Sequence, residues 1–258
     1  MNCNDLDIEN WKDCDINTDS LWIISDRDKS GKHSNIYHGN FIPQIPNQLI
    51  RRYTKKGETV FEPFTGSGTT LFECENLDRK YIGFDINPEI VNFVQKKSAN
   101  NETTFTKTCN SLDSKDVDGN FNDAFQQLNT KSLQFILMHP PYLDIVKFTD
   151  NKDDLSQISN LKEFIGKFRI VCENSLKYLD KNRYFAIVVG DVYKNSEVLP
   201  LAFYCMDMIK RSFKVKLKGT IIKNIEGNRG KIGQGGIWKY RALKSDYFIF
   251  KHEYIFVF

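Results

Sequence analysis

The sequence predicts an α/β protein: a doubly wound, mostly parallel sheet with a C-terminal antiparallel strand pair. Three observations predict it. Short apolar runs at 59–62, 80–85, 132–138 and 184–190 alternate with stretches of helical spacing. Each run stops at a residue that ends a strand: Pro63, Asp85, His139 before two prolines, and Gly190 before Asp191. Two more apolar runs, near 215–222 and 246–258, close the chain without a helix expected between them.

In chain order, Ile42–Tyr53 carries two prolines early and then reads as a short amphipathic helix. Thr59–Glu62 is a strand, Gly66–Thr70 a Gly-rich turn, and Thr69–Asn76 a helix. Lys80–Asp85 is the second strand. Pro88 suits the first turn of a helix running to Lys97. The polar stretch 100–131 holds a strand near Thr104–Thr108 and then a loop or helix. Ser132–Met138 is a buried strand. Residues 149–160 read as a mobile loop. Leu161, Phe164, Ile165, Phe168, Val171, Cys172 and Leu176 repeat at helical spacing. Tyr184–Gly190 is a strand and Pro200–Phe213 a helix. The last two strands are separated by a Gly-rich loop, Gly227–Gly236.

A chain of 258 residues, 40% of them apolar, suits one domain with a sizeable core. Residues 1–30 read as an acidic N-terminal segment and 31–258 as the domain. No run of about 18 apolar residues is present, so no membrane span is expected. No basic-then-apolar leader is visible. The six cysteines lack C-x-x-C spacing and a histidine cluster. They read as reduced thiols in a cytoplasmic protein with no metal site.

Net charge is only +3, but its distribution is uneven. Residues 210–258 hold 12 Lys and Arg against three acids. Such a portion fits a polyanion or a merely solvated basic face. Within it, Arg229, Lys231, Lys239 and Arg241 lie in a stretch that mixes glycine, cations, Trp238 and Tyr240. That mixture suits a nucleic-acid loop, and equally a flexible connector.

Three strand ends carry candidate chemistry, where a doubly wound sheet places its ligand. The first is Glu62-Pro63-Phe64-Thr65-Gly66-Ser67-Gly68-Thr69-Thr70. Its glycines let backbone pass close to a ligand, and the following helix start offers free N–H groups to a carboxylate. The spacing fits neither a phosphate loop nor G-x-G-x-x-G. The second is Asp85-Ile86, 17 residues after Gly68, where an acid can accept from a ribose diol or cap a helix. The third is His139-Pro140-Pro141-Tyr142. Its prolines freeze a turn, His139 offers an acceptor, and Tyr142 offers a stacking face.

Taken together, FEPFTGSGTT, YIGFDINPE and HPPY resemble the amino-methyltransferase family that modifies adenine N6 or cytosine N4 in DNA. The resemblance covers roughly residues 30–200. It implies a Rossmann-like methyltransferase fold that uses S-adenosylmethionine, with a flipped-out DNA base as substrate and a setting in restriction–modification. It also implies that Pro63, Phe64, Gly66, Ser67, Gly68, Thr69 and Thr70 hold the methionine part of the cofactor. Asp85 with Ile86 would hold the ribose. His139, Pro140, Pro141 and Tyr142 would bind the target amino group. His38–Tyr53 resembles the family helix that closes the methionine pocket, and 184–201 the later strand whose end lines the base pocket.

Two departures stand out. His139 occupies a position where the family uses Asp, Asn or Ser. The Gly-rich motif also precedes the PPY motif, with no large insertion for sequence recognition, so a homodimer or a separate specificity subunit is a candidate partner. An aromatic at Phe148 after PPY leans towards cytosine N4 over adenine N6. Other readings are a methyltransferase of RNA bases or of protein glutamine, and a non-catalytic DNA-binding or partner-binding subunit. A catalytic His139 must be neutral, because a protonated imidazole only donates.

Overall fold

The computed structural model describes residues 3–33, 39–98, 102–225 and 235–258. Its first sheet element, β1 (Leu21–Trp22), is followed by α1 (Gln44–Tyr53), β2 (Thr59–Glu62), α2 (Thr69–Asn76), β3 (Lys80–Asp85) and α3 (Pro88–Lys97). Then come β4 (Thr104–Thr108), α4 (Ser114–Gln127), β5 (Leu133–Met138), α5 (Leu161–Leu176) and β6 (Leu179–Val189). A small hairpin, β7 (Val192–Lys194) with β8 (Glu197–Leu199), precedes α6 (Leu201–Ser212). The chain closes with β9 (Gly219–Asn224), α7 (Gly235–Lys244) and β10 (His252–Val257).

The main sheet runs β1-β9-β10-β6-β5-β2-β3-β4. The pairs from β6 through β4 are parallel, whereas β10 is antiparallel to both β6 and β9. The expected mixed sheet with a C-terminal antiparallel pair is therefore present. Its order reverses between β2 and β5, which opens a crevice at their carboxyl ends.

Alternation along the strands builds a core on each face. Phe61, Ile82, Ile136 and Met138 face one side, where Phe121 of α4, Phe164 and Phe168 of α5 and Cys205 of α6 meet them. Val60, Tyr81, Phe135 and Leu137 face the other, against Leu49 of α1, Phe72 of α2 and Val94 of α3. All four residues of β2 are buried, as a central parallel strand covered by helices on both faces requires.

Three expectations change. First, 149–160 is not a mobile excursion: it contains a 3-10 turn at Leu155–Gln157, and Leu155, Ser156 and Ile158 are buried. The buried Asp154 carboxylate holds it, accepting from Thr149 N (3.0 Å), Thr149 Oγ1 (2.8 Å) and Ser156 N (2.8 Å). Second, the stretch Gly235–Lys244 is helical, while 227–234 of the expected loop lie outside the described residues. Its Ile237, Tyr240 and Leu243 are exposed. Third, the last two strands are shorter than expected, at 219–224 and 252–257. The acidic N-terminal stretch makes contacts with residues beyond 30. Trp22 is buried, β1 pairs with β9, Asp5 bonds Arg79 at 2.8 Å, and Asp15 pairs with Arg51.

Candidate functional site

A cavity of about 940 Å³ lies over the crevice. Pro63, Phe64, Thr65, Gly66 and Thr69 line it from the first motif, Asp85 and Ile86 from the second, and His139–Tyr142 from the third. Residues 76 positions apart in sequence thus line one cavity because β2, β3 and β5 are adjacent and parallel.

The Gly-rich turn is held by its neighbour strand. Thr65 N donates to Phe84 O (2.9 Å), and Gly66 N donates to Asp85 Oδ2 (2.9 Å). Gly68 is the N-cap of α2 with φ of 82°, a conformation that favours glycine, and no side chain caps the helix. The first N–H groups of α2 remain available to an anion. Ser67, Gly68 and Thr70 shape this turn without lining the cavity. Ser67 Oγ accepts from Asn40 Nδ2, and Thr70 Oγ1 donates to Glu62 Oε1 at 2.9 Å.

Asp85 is not a helix cap. Asn87 caps α3, accepting from Glu89 N and Ile90 N, with Pro88 in the first turn. Asp85 Oδ1 instead accepts from Asn87 N at 3.0 Å, so each carboxylate oxygen takes one backbone N–H and keeps a lone pair for a further donor. Burial raises the Asp85 pKa to about 6, partly offset by the Asn87 and Gly66 N–H bonds.

Beneath the turn lies Glu62, only 2% exposed. It accepts from Thr70 Oγ1 and from the Tyr81 hydroxyl at 2.8 Å. Burial outweighs both bonds and pushes its pKa to about 8, so the carboxyl is mainly protonated at neutral pH. Gly83 leaves the space: a Cβ there would come within 2.5 Å of both Tyr81 and Thr65 side chains.

On the other side, His139 Nε2 lies 3.0 Å from the Tyr142 hydroxyl, and its ring is 5.0 Å from that of Phe41. Burial lowers the His139 pKa to about 4. Glu253 opposes that shift and Lys223 adds to it. His139 is therefore neutral at pH 7, despite an acid nearby that the sequence did not disclose. Immediately after the motif, the buried Leu143 holds φ of 55°, a costly conformation for leucine.

Several cavity residues carried no signal in the sequence. Lys223 and Glu253 come from the C-terminal strands and form a buried ion pair at 3.1 Å. Arg27 comes from the N-terminal stretch, where it donates to Phe41 O at 2.9 Å. Asn110 and Ser111 sit past the end of β4. Only the strand-end placement of the last two offered a clue. Conversely, none of 184–201 lines the cavity. Gly190 instead accommodates the Tyr142 ring, which a Cβ would meet at 3.1 Å.

Lys239 and Arg241 are exposed on α7, while Arg229 and Lys231 lie outside the described residues. Lys223, counted with the basic portion, is buried against Glu253 and belongs to the cavity wall. Among the described residues, no group of three His, Cys, Asp or Glu side chains could hold a metal ion, and no helix is long and apolar enough to cross a membrane.

The DNA methylase family model (N6_N4_Mtase) matches residues 4–96, which include the Gly-rich turn and Asp85. Type II methyltransferase M.MjaII of Methanocaldococcus jannaschii is 42% identical over 52 residues, 20% of this chain and 10% of that protein. M.XycI of Xanthomonas campestris pv. cyanopsidis is 33% identical over 75 residues, 29% of this chain and 24% of its own length. These matches make the chain similar to DNA methylases over part of its length. M.BglI of Bacillus subtilis is similar over more of the chain, 28% identical over 117 residues, 45% of this chain and 31% of that protein. The matched segments thus span less than a third of these relatives. Among solved structures, SMU.1697c from Streptococcus mutans, in complex with SAH, is 10% identical with a TM-score of 0.47, covering 83% of this chain and 94% of that one.

Proposed function

We propose that the protein transfers a methyl group from S-adenosylmethionine to an exocyclic amino group of a DNA base. The observation that carries this reading is the meeting, in one cavity, of the Gly-rich turn, Asp85 and the His139–Tyr142 turn. Its volume is at the upper end of ordinary small-molecule sites, about 300–1,000 Å³. That leaves room for more than one group.

The residues present fit the cofactor. The uncapped start of α2 suits an amino-acid carboxylate, and the spare lone pairs of Asp85 suit two ribose hydroxyls. When bound, S-adenosylmethionine supplies an electrophilic methyl group. The chain's task is then to hold the acceptor nitrogen in line and increase its lone-pair availability, since that lone pair is delocalised into the base. Neutral His139 accepts one amino hydrogen, and the carbonyl beside Pro140 accepts the other. The aromatic rings of Tyr142 and Phe148, both on the cavity wall, offer faces to a base withdrawn from the stack. Phe148, as the aromatic following PPY, favours cytosine N4 over adenine N6. Exposed Lys239 and Arg241 serve the phosphate backbone in this reading.

The test is incubation with labelled S-adenosylmethionine and mixed genomic DNA, followed by nucleoside analysis by mass spectrometry. N4-methylcytosine is expected. N6-methyladenine would overturn the base assignment alone. Cofactor binding without any methylated nucleoside would favour a non-catalytic subunit.

A further inference from the structure

The acceptor role of a histidine depends on which ring nitrogen carries the proton, and the surroundings of His139 decide it. In a neutral imidazole one nitrogen donates and the other accepts. His139 Nε2 meets the Tyr142 oxygen at 3.0 Å. That contact fits either tautomer until the third partner is considered. The Tyr142 hydroxyl also lies 3.5 Å from Glu253 Oε2, and Glu253 Oε1 accepts from Lys223 Nζ at 3.1 Å.

A carboxylate paired with an ammonium offers only acceptors. Tyr142 has one hydroxyl proton, and a carboxylate attracts it more strongly than a neutral imidazole does. The separation of 3.5 Å is long for a hydroxyl bond, so charge rather than bond geometry orients the proton. With its proton turned to Glu253, the Tyr142 oxygen presents lone pairs to Nε2. Nε2 must then be the protonated nitrogen. Nδ1 has no hydrogen-bond partner among the described residues, yet it is not a buried orphan, and His139 lines the cavity.

We propose that the Lys223–Glu253 pair, acting through the Tyr142 hydroxyl, fixes the His139 tautomer with its proton on Nε2 and leaves Nδ1 as the acceptor for the substrate's amino group. The inference deepens the functional reading above and rests on it for the identity of the substrate. Lys223 and Glu253 are positioning residues: they act on the amino group through Tyr142 and His139. Their place on β9 and β10 gives the antiparallel end of the sheet a task in the site. It also accounts for histidine at a position where a side-chain carbonyl or carboxylate would need no tautomer control.

The test is 15N–1H NMR of the full chain labelled at its histidines. The chain has four, and loss of one signal set in His139→Asn assigns His139. The wild type is expected to show the Nε2-protonated form. Tyr142→Phe leaves the Lys223–Glu253 pair intact and should release the tautomer to a mixture. It should lower single-turnover methylation about 10-fold while cofactor affinity stays unchanged. In Glu253→Gln the side-chain amide can donate to Tyr142, which should turn the hydroxyl proton towards His139 and move the histidine proton to Nδ1. Lys223→Met combined with Glu253→Gln removes the uncompensated ammonium if the single variant misfolds, with the same expected shift. A wild type protonated on Nδ1, or a tautomer indifferent to Tyr142→Phe, would overturn the proposal. The expected tautomer in a protein that methylates no base would leave the relay standing and sink the functional reading instead.

Discussion

The two walls of the cavity are built in different ways. The wall of the Gly-rich turn and Asp85 is made by adjacent parallel strands, and its polar groups are satisfied by backbone: Gly66 N and Asn87 N on Asp85, Phe84 O on Thr65. The wall of His139 is made by side chains from distant parts of the chain. Tyr142 and Glu253, whose side chains meet, are 111 residues apart. A wall made of backbone depends on the fold, and most single substitutions there leave it in place. A wall made of a side-chain relay can be dismantled one residue at a time. The difference should show in how each half responds to mutation and to pH.

The largest expected effect is on the side-chain wall. His139→Ala should reduce single-turnover methylation by about 10²- to 10⁴-fold, the usual contribution of a positioned acid–base group, with cofactor affinity retained. His139→Asn keeps an acceptor oxygen and should retain much of the rate. Because His139 ionises near pH 4, turnover at saturating cofactor should be flat between about pH 5 and 8 if only its protonation matters. It should fall only as pH drops through about 4, where the ring gains a proton and loses its acceptor. A limb near pH 6.5 in turnover would contradict the buried environment seen for the ring. Equal rates for wild type and His139→Ala would shift the acceptor role to the carbonyl beside Pro140.

The backbone wall should answer in binding instead. Asp85→Ala removes the lone pairs offered to a ribose and should weaken cofactor affinity by about 10- to 100-fold, as loss of hydrogen bonds to a charged group does. Calorimetry at several pH values sharpens the contrast. Asp85 ionises near pH 6, so cofactor affinity should decline as pH falls through about 6, some two units above the limb assigned to His139. Unchanged affinity in Asp85→Ala would remove it from the site.

What could be read from the sequence follows the same division. The Gly-rich turn, Asp85 and the PPY turn were visible because strand ends followed by special backbone residues are local patterns. The central sheet was visible for the same reason: β2, β3, β5 and β6 are apolar runs with clear stops. Glu253 was not, since a single acid in an apolar strand discloses no partner, and Lys223 was counted as part of a basic surface. The β1–β9 pairing was also hidden. It is two residues long, and its flanking bond from Ile24 N to Asn224 Oδ1 (2.8 Å) spans 200 positions. The loop 149–160 has a polar composition, but its polar groups satisfy Asp154 internally and let Leu155 and Ile158 reach the core. Composition reports polarity, not whether a polar group is already bonded.

A smaller effect is expected at Glu62, beneath the turn. Burial raises its pKa from the ordinary carboxyl range to about 8. Such a group contributes stability that is fully present below the unfolded pKa and is lost as pH rises through the folded value. Thermal stability should therefore decline from about pH 4.5 to pH 8 through this residue. Glu62→Gln mimics the protonated form, and Tyr81 can redirect its hydroxyl to Thr65 Oγ1, 3.2 Å away. The variant should fold, keep its cofactor affinity within a few-fold, and show a flatter melting temperature over that pH range. An unchanged slope would mean that Glu62 is ionised in the folded protein.

The smallest effect is expected outside the cavity, at the exposed cations of α7. Lys239 and Arg241 are the described members of the basic stretch expected to meet DNA. A phosphate contact releases condensed counterions, so each one contributes about −0.9 to the slope of log affinity against log salt on duplex DNA. Replacing either residue by Ala should lower the magnitude of that slope by about one unit at most, alike for every DNA sequence, because phosphates carry no base identity. Methylation at saturating DNA should be unaffected, since neither side chain is among the residues lining the cavity. The contrast with His139 is the point of the experiment: one substitution should alter the rate and not the salt slope, and the other the reverse. A slope that ignores Lys239→Ala and Arg241→Ala together would make α7 a solvated surface and move the phosphate contacts to another face of the domain.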